Sequence, residues 1–580
     1  MKQRGAPGIV PWMLLATIAA TTTPTTSTLA ASAPAYDLIF RGNLEPVTDA
    51  PQSDAEAARF LTMATFGPNQ AEIARLRGIG YGQWLDQQLA MPATLERPAV
   101  EALDAGVQNP GQTHRRAQWF KVAITAPDQL RQRAAWALSQ ILVASDQGNK
   151  LSQDPVALAE YYDTLARDSF GYFDDGSIYH AGVYPTLLAD VTYSPAMAKM
   201  LTYVQNDKGK PELHLAPDEN YAREVMQLFS IGLIERNLDF SPKLDNGNTI
   251  ATYDQNKVTG AAHVFTGLSY DPQYSDGFRS YPTNGSSWTF ADYLPLFCYE
   301  IHHDETVKTV LGGATISNPA PNCGPDIAQL LTIIAQHANV APFISRQLIQ
   351  RFTTSNPSPA YIARIATTFL DNGHGDYGDL GAVIKAILTD AEAQYGAAPP
   401  PAPCVFGKPR EPLLKLTALW RYYNGAAQSS VYTVSPASAY AQAPLDSPSV
   451  FNFYLPDYQP PGELADVGLF APEFQIESES SVVSTANDLT ARVNAYAGNP
   501  ANTASTIAVD LSALFALAGD PAALVAQVNH DLMYGSMSAA MQTTLAGMAG
   551  QIAYSTSAPQ PRVLALLQVV LASPEFAIQK

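Results

Sequence analysis

With 46% hydrophobic residues in 580 and only 15% charged, the chain holds ample apolar material for a core, and its bulk is not a disordered polymer. Thirty-four basic against 53 acidic residues give a net charge of −19, which repels phosphate backbones and argues against nucleic-acid binding. The length allows about two to four domains or one large helical one, and 44 Pro with 37 Gly call for many turns and long connections.

Residues 1–31 read as a signal peptide. Lys2 and Arg4 make a basic start, and Ile9–Ala20 (IVPWMLLATIAA) is an apolar run too short for a stable membrane span. The Thr-rich TTTPTTSTLAASA offers small residues for cleavage near Ala30 or Ala31, with neither a twin-Arg pair nor a lipobox Cys. Losing Lys2 and Arg4 takes the net charge from −19 to −21. The expectation is an exported protein, periplasmic or extracellular, with no membrane span after cleavage. Residues 32–53 follow as a flexible segment.

A main helical lobe is expected over 54–394. Ser53/Asp54 cap a first helix that stops at Gly67, and the next runs to Ala90 with breaks at Gly78 and Gly80. His114–Ser145 is helical with a restart at Pro127-Asp128. Helical periods recur at Pro155–Asp168, Tyr184–Tyr203, Asp218–Gly232, Asp254–Thr266, Val340–Thr353, Pro359–Leu370 and Leu380–Ala391. Between Gly267 and Gly324 the helical period disappears. The aromatics there, Tyr270 and Trp288 among them, predict an ordered loop-rich insertion packed on the helices. Residues 395–408 include a Pro-rich linker, and 409–580 form a C-terminal lobe. In that lobe a helix at Glu411–Tyr423 leads, through a Pro/aromatic loop region, to a closing bundle near Ala508–Leu517, Pro521–Leu532, Ser538–Tyr554 and Arg562–Leu571. The predicted fold class is mainly α: a large multi-helix globular domain with a long aromatic-rich insertion and a C-terminal helical bundle.

None of the three cysteines forms a CxxC pair. In an oxidising compartment Cys298 and Cys323, in one loop segment, can form a disulfide, with unpaired thiols as the alternative. Such a loop would gain roughly 3 kcal/mol in the chain-entropy account.

The run PDENYAREVMQLFSIGL (Pro217–Leu233) carries the main site hypothesis. Asp218 can cap the helix. Tyr221, Val225, Leu228 and Phe229 make one apolar face, and Asn220, Arg223, Glu224 and Gln227 share the other at i, i+3, i+4 and i+7. Such a stripe is either a solvated face or a polar network in which Arg beside a carboxylate sets its charge state. The run resembles the signature of a bacterial family called domain of unknown function 1800. Further blocks resemble the same family, in its order: Asp128–Ser145, Val191–Leu201, Val340–Tyr361, Gly407–Arg421 and Ser447–Gly462. The resemblance begins near Ala55 and runs to the C-terminus. It implies an exported, mainly helical protein of no settled activity, often encoded beside an exported protein of the sulfatase/phosphatase-like superfamily. Two departures stand out. His263 and Leu268 in AAHVFTGL replace the family's Arg and Trp, and His303-Asp304-Glu305-Thr306-Val307-Lys308 lacks the family's Gly.

Other constellations are sparse. His302-His303-Asp304 is the densest group of metal-ligand types, but no HExxH or CxxC spacing supports it, and no metal is assigned. His263 reads as a packing residue. DNGHGDYGD (Asp371–Asp379) lacks the ligand spacing of a calcium loop. No nucleophile elbow, P-loop or dinucleotide fingerprint occurs, and no cofactor is implied. Arg346 and Arg351, on an apolar helix, call for buried acidic partners. Lys408 and Arg410 sit where a helix start disfavours cations, so they can bind a substrate anion or pair with acidic residues of the first lobe.

Two functions follow. The first is a hydrolase or envelope-polymer-modifying enzyme. Glu224 would be acid or base, Arg223 its helper, and His303 and Asp304 would face it. Asn220, Gln227, Lys408 and Arg410 would bind substrate. The second is a non-catalytic scaffold for the neighbouring sulfatase/phosphatase-like protein or an envelope or extracellular polymer. Convergence of the stripe, the His-His-Asp loop and the Lys408 segment in one pocket favours the enzyme.

Overall fold

Helix caps set the first element. The Ser53 hydroxyl accepts from the Glu56 N–H at 3.2 Å and starts the helix Asp54–Ala64. The computed structural model describes residues 49–104, 111–148, 151–173, 179–210, 212, 214–282, 292–317, 322–395 and 406–579. The signal-peptide and flexible-segment readings for residues 1–48, and most of the Pro-rich stretch with Cys404, lie outside them.

The described residues hold 24 helices and five two-stranded sheets, so the fold is mainly α. Gly67 ends the first turn region at φ +127°, and a Cβ there would lie 2.4 Å from the Ala418 Cα, so only glycine lets the two segments approach this closely. Arg421 then donates to the carbonyls of Gly67 at 2.6 Å and Ile124 at 2.8 Å, tying the helix Pro412–Tyr422 to Gln112–Thr125.

Aromatic rings fill the centre. Phe66 meets Trp119 edge-on at 5.1 Å, Trp119 meets Trp136 at 5.2 Å, and Phe120 meets Trp420 at 5.8 Å. Truncating one such ring costs about 3–5 kcal/mol. The apolar core is continuous from Ala57 to Phe576. The chain end returns to its middle, where Ile578–Gln579 pairs antiparallel with Lys408–Pro409.

Several elements differ from the sequence expectation. Ser194 and Pro195 divide the Tyr184–Tyr203 period into Tyr184–Tyr193 and Pro195–Met200. The helix expected over Asp218–Gly232 is only Asn220–Gln227, because Gly232 turns at φ +70° and its N–H closes onto Met226 O. Three helices of eight residues or more appear where none was expected: Arg97–Asp104, Cys323–Ala335 and Glu479–Asn494. The last is rich in Ser and Thr, and buries only Ser481, Thr485, Leu489 and Val493, one residue per turn. So narrow an apolar stripe gives little periodic signal.

The insertion is docked through its backbone: Gln205 N–H to Leu268 O at 2.8 Å, Leu296 N–H to Tyr193 O at 2.8 Å, Lys208 N–H to His302 O at 2.9 Å. A disulfide joins Cys298 to Cys323, with Cα atoms 5.9 Å apart. It fastens the strand Phe297–Cys298 to the start of the helix Cys323–Ala335.

Candidate functional site

The helices Asn220–Gln227 and Gln255–Val264 pack side by side and build a polar seam. Asp218 Oδ1 accepts from the Asn220 N–H at 2.8 Å, so it caps from one residue before Glu219, the cap position. Glu219 accepts from Gln255 Nε2 at 2.7 Å and Thr259 Oγ1 at 2.8 Å, and Arg223 donates to Gln255 Oε1 at 3.0 Å. These contacts run the two helices antiparallel. Gln255, Thr259 and His263 are spaced four apart, so they share the face beside Glu219 and Arg223. Arg223 is 39% exposed at its side chain, and Asn220 is exposed; Gln227 is half-buried.

Glu224 turns inward. It is buried, and its Oε2 has no hydrogen-bond partner. The Tyr253 hydroxyl, just before the second helix, is likewise buried and unpartnered. Burial raises the Glu224 carboxyl, with the Arg223 charge drawing it partly back. Burial, reinforced by the Glu224 charge, pushes Tyr253 up to about 12. An orphan carboxyl oxygen and an orphan phenol within Coulombic reach are costly to keep, and such costs collect at functional sites.

The His-His-Asp loop docks at the other end of the seam. His263 Nδ1 lies 2.6 Å from Asp304 Oδ2. Burial works against Asp304 ionising, but hydrogen bonds from His263 and from the Thr306 hydroxyl and N–H outweigh it and hold the carboxyl well below its ordinary range. An ionised Asp304 fixes the proton on Nδ1 and leaves Nε2 as the basic nitrogen. His303 is buried, with Nδ1 2.9 Å from Thr266 O and Nε2 3.1 Å from Asp326 Oδ2. His302 stacks on Phe278 at 3.8 Å and meets Asp207 at 2.9 Å. Sequence reasoning took His263 for packing. The missed signal was its register with Gln255 and Thr259.

The structure therefore brings Asp304 to the seam through His263. It does not place His303 or Asp304 in hydrogen-bond contact with Glu224. From Gln255 to His263 the helix rises about 12 Å, and Tyr253 lies before its start, so the two groups are farther apart than a single acid–base pair. Lys408 and Arg410 are elsewhere. Lys408 Nζ is buried against Glu473 Oε1 at 2.8 Å and the Gln350 carbonyl at 2.8 Å, and Arg410 packs under Tyr534 and Phe576. Arg346 and Arg351 find few acids. Arg346 lies between the rings of Phe240 and Phe470, and Arg351 donates to the carbonyls of Gln347 and Gln140. Among the described residues no group of three His, Cys, Asp or Glu is placed to hold a metal ion.

The model of a family described as "Protein of unknown function (DUF1800)" matches residues 59–578. The chain belongs to this family. No curated protein and no solved structure matches it. Most of the blocks that carry the resemblance meet in space. Gln140, Leu228, Phe343, Gln347, Arg351 and Asn452 line one narrow cleft, and Glu411 lies beside it, accepting from Gln140 Nε2 at 2.8 Å. No single helix among the described residues is long and apolar enough to cross a membrane.

Proposed function

We propose that this family member is an exported hydrolase or envelope-polymer-modifying enzyme, and that an extended polar substrate lies along the seam between the 220–227 and 255–264 helices. The observation that carries this reading is the buried, unpartnered Glu224 Oε2 within Coulombic reach of the unpartnered Tyr253 hydroxyl. Its raised proton affinity suits a general acid, with Arg223 at the rim able to hold an anionic or carbonyl group. The His263–Asp304 pair is a second proton-transfer group further along the same strip. Export rests on the N-terminal sequence, and the acidic surface suits a polymer that carries cations or neutral polar groups.

The second reading is a non-catalytic scaffold for a neighbouring exported sulfatase/phosphatase-like protein. The observation favouring it is that the Lys408–Arg410 segment stands apart from the seam, so the three expected segments do not share one pocket. The two readings separate by assay. The mature protein is offered peptidoglycan fragments, neutral and anionic polysaccharides, and sulfate and phosphate esters. The enzyme reading expects turnover of one class, reduced about 10²–10⁴-fold in Glu224→Gln with the fold intact. Turnover unchanged in that variant removes Glu224 from the mechanism. No turnover, with binding to the purified partner protein, establishes the scaffold.

A further inference from the structure

A cavity of 390 Å³ opens where the start of the helix Gln70–Leu89, the end of Pro412–Tyr422 and the start of Ser512–Leu517 meet. Its volume falls in the range of about 300–1,000 Å³ usual for small-molecule sites. The floor is held in place from below. Asp531, buried on the helix Pro521–Met533, accepts from the Tyr422 hydroxyl at 2.7 Å on Oδ1 and from the Tyr423 hydroxyl at 3.3 Å on Oδ2. Gln527 Nε2 at 2.7 Å and His530 Nδ1 at 3.1 Å also reach Oδ1, so this carboxylate is committed to the protein. The two phenol rings stand edge to face at 5.3 Å, and Leu514 completes the floor.

The rim is polar, accessible and largely uncommitted. Asn424 is exposed at φ +50°, and its side-chain amide makes no hydrogen bond among the described residues. Half-buried Asn69 uses its Oδ1 on the Glu72 N–H at 2.8 Å, which leaves Nδ2 to donate. Exposed Asp510 accepts from the Ser512 N–H at 3.0 Å and keeps further lone pairs. Hydrogen bonds from the Ser512 hydroxyl and N–H hold its carboxyl below the ordinary range. No lysine, arginine or histidine lines the cavity. Free donors and free acceptors therefore stand side by side over an aromatic floor.

We propose that this cavity binds a neutral sugar unit, its hydroxyls on Asn69, Asn424 and Asp510 and its C–H face towards Tyr422 and Tyr423. A sugar hydroxyl donates and accepts at once, so it uses both kinds of rim group. An anion would meet an ionised Asp510 with no cation in the lining. An ammonium only donates, and would leave the Asn69 and Asn424 N–H groups opposed to it. The site shares no residue with the seam between the 220–227 and 255–264 helices and does not rest on turnover there.

The mature protein is titrated calorimetrically, at slightly acid pH and constant ionic strength, with glucose, galactose, mannose and N-acetylglucosamine, and with glucuronate and glucosamine as the charged comparison. At least one neutral sugar should bind saturably, with both charged sugars at least tenfold weaker. Asn424→Gly removes the rim amide but suits the left-handed backbone, so it should melt with the parent and bind at least fivefold more weakly. Ala513→Trp, which occupies the cavity, should abolish binding; should it not fold, Ala71→Trp on the opposite wall takes its place. Glu224→Gln should bind as the parent does. Absence of saturable binding by all four neutral sugars, a charged sugar binding as tightly, or binding unchanged in the Asn424 or cavity-filling variant overturns the proposal. Binding lost in Glu224→Gln places the sugar on the seam and overturns it equally.

Discussion

Trp136 and Glu411 are 275 residues apart in sequence, and the indole Nε1 donates to the carboxylate Oε2 at 2.9 Å. Gln140 and Gln442 donate to the same oxygen at 2.8 and 2.9 Å, and Arg133 Nη2 stands 3.8 Å from Oε1. Arg133 and Arg351 extend the network through backbone carbonyls, and the Tyr454 hydroxyl donates to Gln140 Oε1 at 2.7 Å. One carboxylate thus holds together the helices Gln129–Ser139 and Pro412–Tyr422 and the loop beyond residue 440.

Removing Glu411 should therefore unseat the fold. Glu411→Ala removes the counter-charge beside Arg133 and the acceptor shared by Trp136, Gln140 and Gln442, and a loss of about 3–5 kcal/mol is expected. Glu411→Gln keeps an acceptor but not the charge, and about 2–3 kcal/mol is expected. Burial opposes ionisation here, but the Lys408 and Arg133 charges and the two glutamine hydrogen bonds outweigh it and hold the carboxyl below its ordinary range. With the folded value depressed, this stabilisation is complete above the ordinary carboxylate range and is lost as pH falls through the folded value. Urea melts of both variants across acid pH check all three statements. A parental midpoint in Glu411→Ala rejects the assignment.

Much of this architecture was legible in the sequence. Ser53, Asn69 and Ser358 cap helices where cap residues stand before periodic runs, and the family blocks mark the elements that meet around Glu411. What was not legible is which polar residues turn inward. Glu224 and Arg223 are neighbours on one stripe, yet one is buried and the other is at the rim, because the partner helix covers only part of that face. Lys408 read as a cation poorly placed at a helix start. Its partner Glu473 is 65 residues away across a loop with no periodic pattern, so no local signal could connect them.

The Cys298–Cys323 bridge closes a loop with a sequence separation of 25 and should contribute about 3.5 kcal/mol by restricting the unfolded chain. The double Cys298→Ser, Cys323→Ser variant should melt clearly below the parent, and reductant should lower the parent but not the variant. Peptide mapping without reductant should recover the linked pair. Both thiols alkylated in the native protein would contradict it.

Stability should fall as pH rises from the ordinary carboxylate range towards neutrality. Asp292 is buried beside Asp154, and burial, then the Asp154 charge, pushes it up to about 7 against the pull of Lys199. The Tyr281 hydroxyl lies 2.9 Å from Asp292 Oδ2 and 3.1 Å from Asp154 Oδ1. One hydroxyl hydrogen serves only one of these contacts, so a proton on a carboxyl completes the set. Between about pH 4 and 7 the folded state holds this proton and the unfolded state does not, so stability declines with rising pH by up to about 1.4 kcal/mol per unit. Asp292→Asn should flatten that slope. A parent whose melting temperature is higher at pH 8 than at pH 5.5 would refute the assignment.

The two histidines of this region should behave oppositely. His303, Lys308 and Asp326 form a buried set, with Lys308 Nζ 2.6 Å from Asp326 Oδ2 and 3.3 Å from His303 Nε2. Lys308→Ala removes the lysine charge from a buried carboxylate and leaves it only the His303 contact, and should cost about 3–5 kcal/mol. It should also raise hydrogen exchange across 299–316, the segment that Lys308 ties down through the Asp304 carbonyl. His263 is 27% exposed at its side chain, so His263→Ala should cost less than about 1 kcal/mol. That variant removes a hydrogen bond that lowers Asp304, whose proton affinity should rise towards the ordinary value. Carboxyl titration by NMR in the parent and in His263→Ala reads this directly. An unchanged Asp304 titration would show that the Thr306 hydroxyl and N–H alone hold it ionised, and would remove His263 as its partner.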